Sequence, residues 1–121
     1  MGIAVADSPF HPKGEAVTPI ILCKTSEEYF AEPATPGRVW LRGWNGKTGR
    51  LMITLPNLDN GGIHVRLPSE PHPAGFPSWE IQRGVNEAGD LSQDLTVTPS
   101  IDCQGTNRWH GWLTDGVLRE C

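Results

Sequence analysis

The apolar positions of this chain fall in short runs, many of them alternating with polar residues and broken by clusters of Gly, Pro, Asn and Asp. A period of two marks a half-buried strand, because successive side chains point to opposite faces. Residues 50–55 (RLMITL) place Leu51, Ile53 and Leu55 on one face, and residues 78–84 (SWEIQRG) place Trp79 and Ile81 together. Residues 17–23 (VTPIILC), 38–44 (RVWLRGW), 63–67 (IHVRL) and 95–101 (LTVTPSI) read as further strands. Pro19, which lacks an N–H, puts the first of them at an edge or near its own start. Residues 24–31 (KTSEEYFA) hold one or two helical turns, with Ser26 as N-cap and acidic residues after it. Residues 32–37, 68–77 and 85–94 read as loops, and Asp59-Asn60-Gly61-Gly62 as a turn. Residues 1–15 show no periodicity, and Pro9 and Pro12 disfavour a helix there. They are read as a flexible or surface-draped arm before a single β domain at 16–121.

The strongest local signal lies near the C-terminus, where Asp115-Gly116 sits between apolar runs. A type I′ turn needs positive φ at both central residues, which Asp-Gly supplies. With a two-residue loop, Thr114 faces Val117, Leu113 faces Leu118, Trp112 faces Arg119 and His110 faces Cys121. Trp109, Leu113 and Leu118 then share the core face, and His110, Trp112, Arg119 and Cys121 the other. Arg119 over the Trp112 ring would be a cation–π contact of roughly 0.5–1 kcal/mol where exposed. A three-residue loop with Gly116 in a bulge would slip the register by one and undo this pairing.

Several short strands separated by turn signals indicate an all-β fold, mainly antiparallel. A small sandwich, a rolled sheet and a partly open barrel all fit, with at most one short helix. The 14 glycines and 11 prolines among 121 residues favour the same reading, since both interrupt helices.

Ten basic and fourteen acidic residues give a net charge of −4, so composition offers no broad basic footprint and nucleic acid is not the expected partner. No apolar run approaches a membrane span. The first residues show no charged region followed by an apolar one, as a secretory signal would. Three cysteines, an odd number, do not make a complete disulfide framework. A cytoplasmic protein in a reducing compartment is the expectation.

Four sets of residues bear chemistry. Cys103, His110 and Cys121 have the donor types of a zinc site, but no CxxC pair or evident fourth ligand accompanies them. The alternative for them is a small buried thiol and a hydrogen-bonded imidazole. Residues 38–50 (RVWLRGWNGKTGR) carry Arg38, Arg42, Lys47 and Arg50 without an acid. Gly46-Lys47-Thr48 matches part of a phosphate loop, but Leu41 stands where the first glycine belongs. Backbone N–H groups of a Gly-rich turn could still take an anion; a solvated basic hairpin tip is the other reading. Ser100, His110 and Asp102 or Asp115 are common residues at arbitrary spacing, and no nucleophile elbow accompanies them. Finally, Trp40, Trp44, Trp79, Trp109 and Trp112 are too many for one small core. Trp44 and Trp112 are the two expected to be partly exposed, as stacking platforms or binding anchors; the other reading of the tryptophans is core packing with indole N–H groups bonded to backbone carbonyls.

Residues 95–118 (LTVTPSIDCQGTNRWHGWLTDGVL) resemble a small family of uncharacterised phage and bacterial proteins often labelled "ammonia monooxygenase". Trp79, residues 96–101 (TVTPSI), His110 and Asp115-Gly116 carry the resemblance, which covers roughly the last third of the chain. Members typically have an upstream Cys-rich knuckle and a cysteine shortly before the histidine, a set that looks like a zinc site. Here residues 41–49 hold no cysteine, and Asn107 and Arg108 precede His110, so the chain is read as a metal-free or degenerate member. The resemblance implies an accessory role in phage–host conflict, such as counter-defence, in the cytoplasm of the host.

These readings converge on a non-enzymatic phage or prophage accessory protein with no catalytic set and no cofactor. It would bind a host protein or a small, nucleotide-like ligand through Trp44, Lys47, His110, Trp112 and Arg119. The alternatives are a zinc-binding structural or hydrolytic protein using Cys103, His110 and Cys121, and a virion structural component. The oligomeric state stays open, a homo-oligomer included.

Overall fold

The computed structural model describes residues 17–103 and 109–120, and of residues 102 and 103 the backbone only. Among the described residues, nine strands and one short helix follow in chain order. They are β1 (Val17–Pro19), β2 (Ile21–Leu22), α1 (Ser26–Phe30), β3 (Arg38–Arg42), β4 (Thr48–Thr54) and β5 (Asn60–Arg66). Then come β6 (Trp79–Val85), β7 (Leu91–Cys103), β8 (Trp109–Thr114) and β9 (Val117–Glu120). All nine strands form one sheet in the order β1-β9-β8-β7-β6-β5-β4-β3-β2, antiparallel except for β2–β3 and β5–β6. The all-β, mainly antiparallel expectation holds, and of the three architectures the partly open barrel is the one formed.

Closure comes from one segment. The two rim strands, β1 and β2, are consecutive in the chain, with Ile20 alone between them. The first half pairs antiparallel with β9 and the second half parallel with β3. At the changeover, Ile20 N donates to Gly116 O at 2.9 Å and Ile21 N to Gly37 O at 2.8 Å. Closing the sheet this way satisfies ladder groups that an open edge would expose. Inside, Val39, Leu51, Ile63, Leu95, Leu113 and Leu118 are among the buried side chains of one continuous core. Along β8, inward Trp109, Gly111 and Leu113 alternate with outward His110, Trp112 and Thr114. Gly111 has no side chain because the Trp109 indole fills the space a Cβ would occupy.

Four local expectations change. The strand expected over residues 17–23 is broken at Ile20 by the change of partner. The loop expected over 85–94 shrinks to 86–90, and β7 already starts at Leu91. Asn86 folds that loop tightly: its Oδ1 accepts from Asp90 N at 2.9 Å and its N donates to Asp90 O at 3.1 Å. Polar Ser92, Gln93 and Asp94 lie in an irregular stretch of β7, between Leu91, which pairs with Val85, and Thr96, which pairs with Arg83. β5 starts at Asn60, so the glycines expected in a turn lie within the ladder. The helix N-cap is Thr25, whose extended backbone lets its Oγ1 accept from Glu28 N at 3.1 Å; Ser26 is the first helical residue. The arm expected at residues 1–15 lies outside the described residues.

Candidate functional site

The β8–β9 hairpin turns at Asp115-Gly116 with φ of 51° and 73°, the positive pair a type I′ turn demands. The register is Val117↔Thr114, Leu118↔Leu113, Arg119↔Trp112 and Glu120↔Gly111, as a two-residue loop requires. Three contacts hold the turn. Asp115 N donates to Thr96 Oγ1 at 2.9 Å, Gly116 N donates to Leu95 O at 2.9 Å, and the Asp115 carboxylate pairs with Arg83. Both members of that ion pair are largely exposed, so it adds little to stability.

The outward face of this hairpin carries His110, Trp112 and Arg119, all exposed. Trp112 is 43 % exposed, against 3 % for inward Trp109. The His110 and Trp112 rings lie 6.5 Å apart at 31°, and Arg119 stands directly across the ladder from Trp112. On the neighbouring strand, Ser100 Oγ lies 3.2 Å from His110 Nε2. Trp79 Nε1 donates to the Ser100 carbonyl at 3.0 Å, tying β6 to the same spot.

Trp44 and Lys47 are placed elsewhere. Trp44 lies partly buried against the core, and its Nε1 donates to Glu87 O at 3.1 Å. A Cβ at Gly89 would come within 2.8 Å of its ring, so the indole is clamped onto the loop preceding β7. That loop adjoins the Leu91 end of β7, whereas Asp102, at the far end, pairs with His110. At about 3.3 Å per residue the two ends are up to roughly 36 Å apart. The Gly-rich turn holding Lys47 is already satisfied: Asn45 Oδ1 accepts from Lys47 N at 2.9 Å and from Thr48 N at 2.8 Å. The N–H groups once available for an anion are therefore taken by a carboxamide, and Trp44 serves packing. The five residues expected to line one site divide into a trio on β8–β9 and a distant pair.

Of the proposed zinc ligands, only the His110 side chain is among those described. Cys121 lies outside, as does the side chain of Cys103. Among the described residues, no three His, Cys, Asp or Glu side chains converge as a metal site would require. The hydrolytic set is half assembled: Ser100 meets His110, but Asp115 is engaged with Arg83. Both Ser100 and His110 sit on strands rather than a strand-to-helix turn, Ser100 within the register shift between Val97 and Ile101. The Ser100–His110 contact was hidden in the sequence because it needs the β7–β8 register, which residues 104–108 separate. Of the remaining indoles, Trp109 Nε1 is buried and finds no acceptor among the described residues.

The chain matches no protein-family model, no curated protein and no solved structure among those with which it was compared.

Proposed function

We propose that this chain is a non-enzymatic binding module that docks a partner protein on the outward face of β8–β9. The observation that carries this reading is Trp112, 43 % exposed on the outer face of the barrel with His110 and Arg119 beside it. Tryptophan and arginine dominate the energetics of protein interfaces. The outer face of a barrel suits a protein partner better than a small ligand, which needs a concave site. That the partner is a host protein, and the setting a phage or prophage accessory role, rests on the resemblance of residues 95–118.

The test replaces Trp112 and Arg119 by Ala together. Both are exposed, so the double variant should keep the wild-type melting profile. It should also lose any host protein that the wild-type chain enriches from lysate. Equal enrichment by the folded double variant rejects this surface.

A further inference from the structure

We propose that a second site, a cleft beside β5, binds a planar anionic ligand: a nucleoside phosphate, either free or at the end of a single strand. The cleft arises from the topology. β5 and β6 run parallel and pair only through Val65↔Trp79 and Arg66↔Glu80, so the first half of β5 has no β6 neighbour. Into that gap open Arg50, Gly62, His64, Phe76, Pro77 and Trp79, which border a space of about 260 Å³. That volume is near the lower end for ligand pockets, enough for one planar ring system.

Its walls have complementary chemistry. Arg50 stands across the ladder from His64, and Gly62 leaves room for the guanidinium to lie along β5. A Cβ at 62 would sit 3.0 Å from Arg50 Nε. The Arg50 side chain makes no hydrogen bond or ion pair with any described residue. His64 Nδ1 is buried and equally unpartnered among the described residues. The His64 ring meets Phe76 edge-on, with centroids 4.9 Å apart, and Phe76 remains 46 % exposed. Trp79 is fixed at the floor by its bond to the Ser100 carbonyl.

The surrounding charge selects an anion. Residues 33–69 carry Arg38, Arg42, Lys47, Arg50 and Arg66 against Asp59 alone, although the whole chain is at −4. Arg42 faces Arg50 directly across β3–β4. The Arg42 guanidinium lies over the Trp40 ring, 5.8 Å from its centroid, so Arg50 is the cation that the cleft presents. The Arg50 guanidinium offers a phosphate the fork geometry arginine favours. The ring of the ligand then lies against Phe76, as bases do on aromatic platforms.

The test is a titration of isotope-labelled protein, followed by NMR, with AMP, UMP, adenosine, inorganic phosphate and a 5′-phosphorylated oligothymidylate. AMP or UMP should shift the Gly62 and Phe76 amides and the Trp79 indole saturably. Adenosine and phosphate alone should each bind at least about tenfold more weakly. Arg50→Met and Phe76→Ala should each weaken binding roughly tenfold, whereas Trp112→Ala leaves it unchanged, which separates this site from the hairpin face. Tighter binding of the oligonucleotide assigns a strand end, and tighter binding of AMP a free nucleotide. The proposal is overturned if no nucleotide gives saturable shifts, if phosphate binds as tightly as AMP, or if folded Arg50→Met binds undiminished.

Discussion

Trp44 and Gly89 form a pair whose coupling can be measured. Truncating a fully buried tryptophan to alanine costs about 3–5 kcal/mol. Trp44 is partly buried and loses its bond to Glu87 O as well. Trp44→Ala should therefore destabilise by about 2–3 kcal/mol, lowering the melting temperature by roughly 10 °C or more. Gly89→Ala meets two penalties. The backbone is left-handed there, at φ +86°, which costs an L side chain about 1–2 kcal/mol. The new Cβ would also sit 2.8 Å from Trp44 Cδ1, an overpacking of about 1–2 kcal/mol. In the Trp44→Ala background that collision is gone and only the backbone penalty remains. The double variant should be about 1–2 kcal/mol more stable than the sum of the singles implies. Urea unfolding of the four proteins gives this coupling directly. Additivity within about 0.5 kcal/mol, or a neutral Trp44→Ala, would falsify the assignment of Trp44 to packing.

Other expectations are simpler. Trp112→Ala alone should change stability by no more than about 0.5 kcal/mol, since it is exposed; a larger loss in the same urea assay would mean that the face is structural. Thr25→Ala removes the bond from Glu28 N and should cost about 1 kcal/mol by thermal melting, whereas Ser26→Ala should cost clearly less. Alkaline pH should destabilise the fold. Burial pushes the Cys23 thiol above its ordinary 9.0, with Glu28 adding to the rise and the Arg38 guanidinium opposing it. Burial likewise raises Tyr29 above 10.0, with Cys23 adding and a hydrogen bond to Thr54 opposing. Both groups hold their protons more tightly folded than unfolded. Their contribution is thus intact below about pH 9 and is lost as pH rises through the unfolded values toward the folded ones. The urea midpoint should fall between pH 8 and pH 11, less steeply above 10 in Tyr29→Phe; a flat profile contradicts this.

What could be read from residues alone was what short-range geometry dictates. Asp115-Gly116 admits few turn types, so the pairing of Trp112 with Arg119 followed by counting. The alternation of Leu51 and Ile53 in β4 was equally plain. Non-local pairing was not. Nothing in VTPIILC marks Ile20 as the point where the segment leaves β9 for β3. Residues 91–94 are mostly polar, and of these only Leu91 pairs in register with β6. The basic character of residues 38–50 was evident, but whether its N–H groups were free depended on the Asn45 side chain. The row Arg42, Arg50, His64 exists only once three strands are in register.

The barrel is fastened by a single latch. Residues 17–22 reach β9 on one side and β3 on the other, so peeling them away unseams the wall at both margins at once. Bared margins invite another strand, and the best-matched one is the same hexapeptide from a second molecule. Refolding at high concentration should therefore favour dimers that exchange this segment, which light scattering would detect.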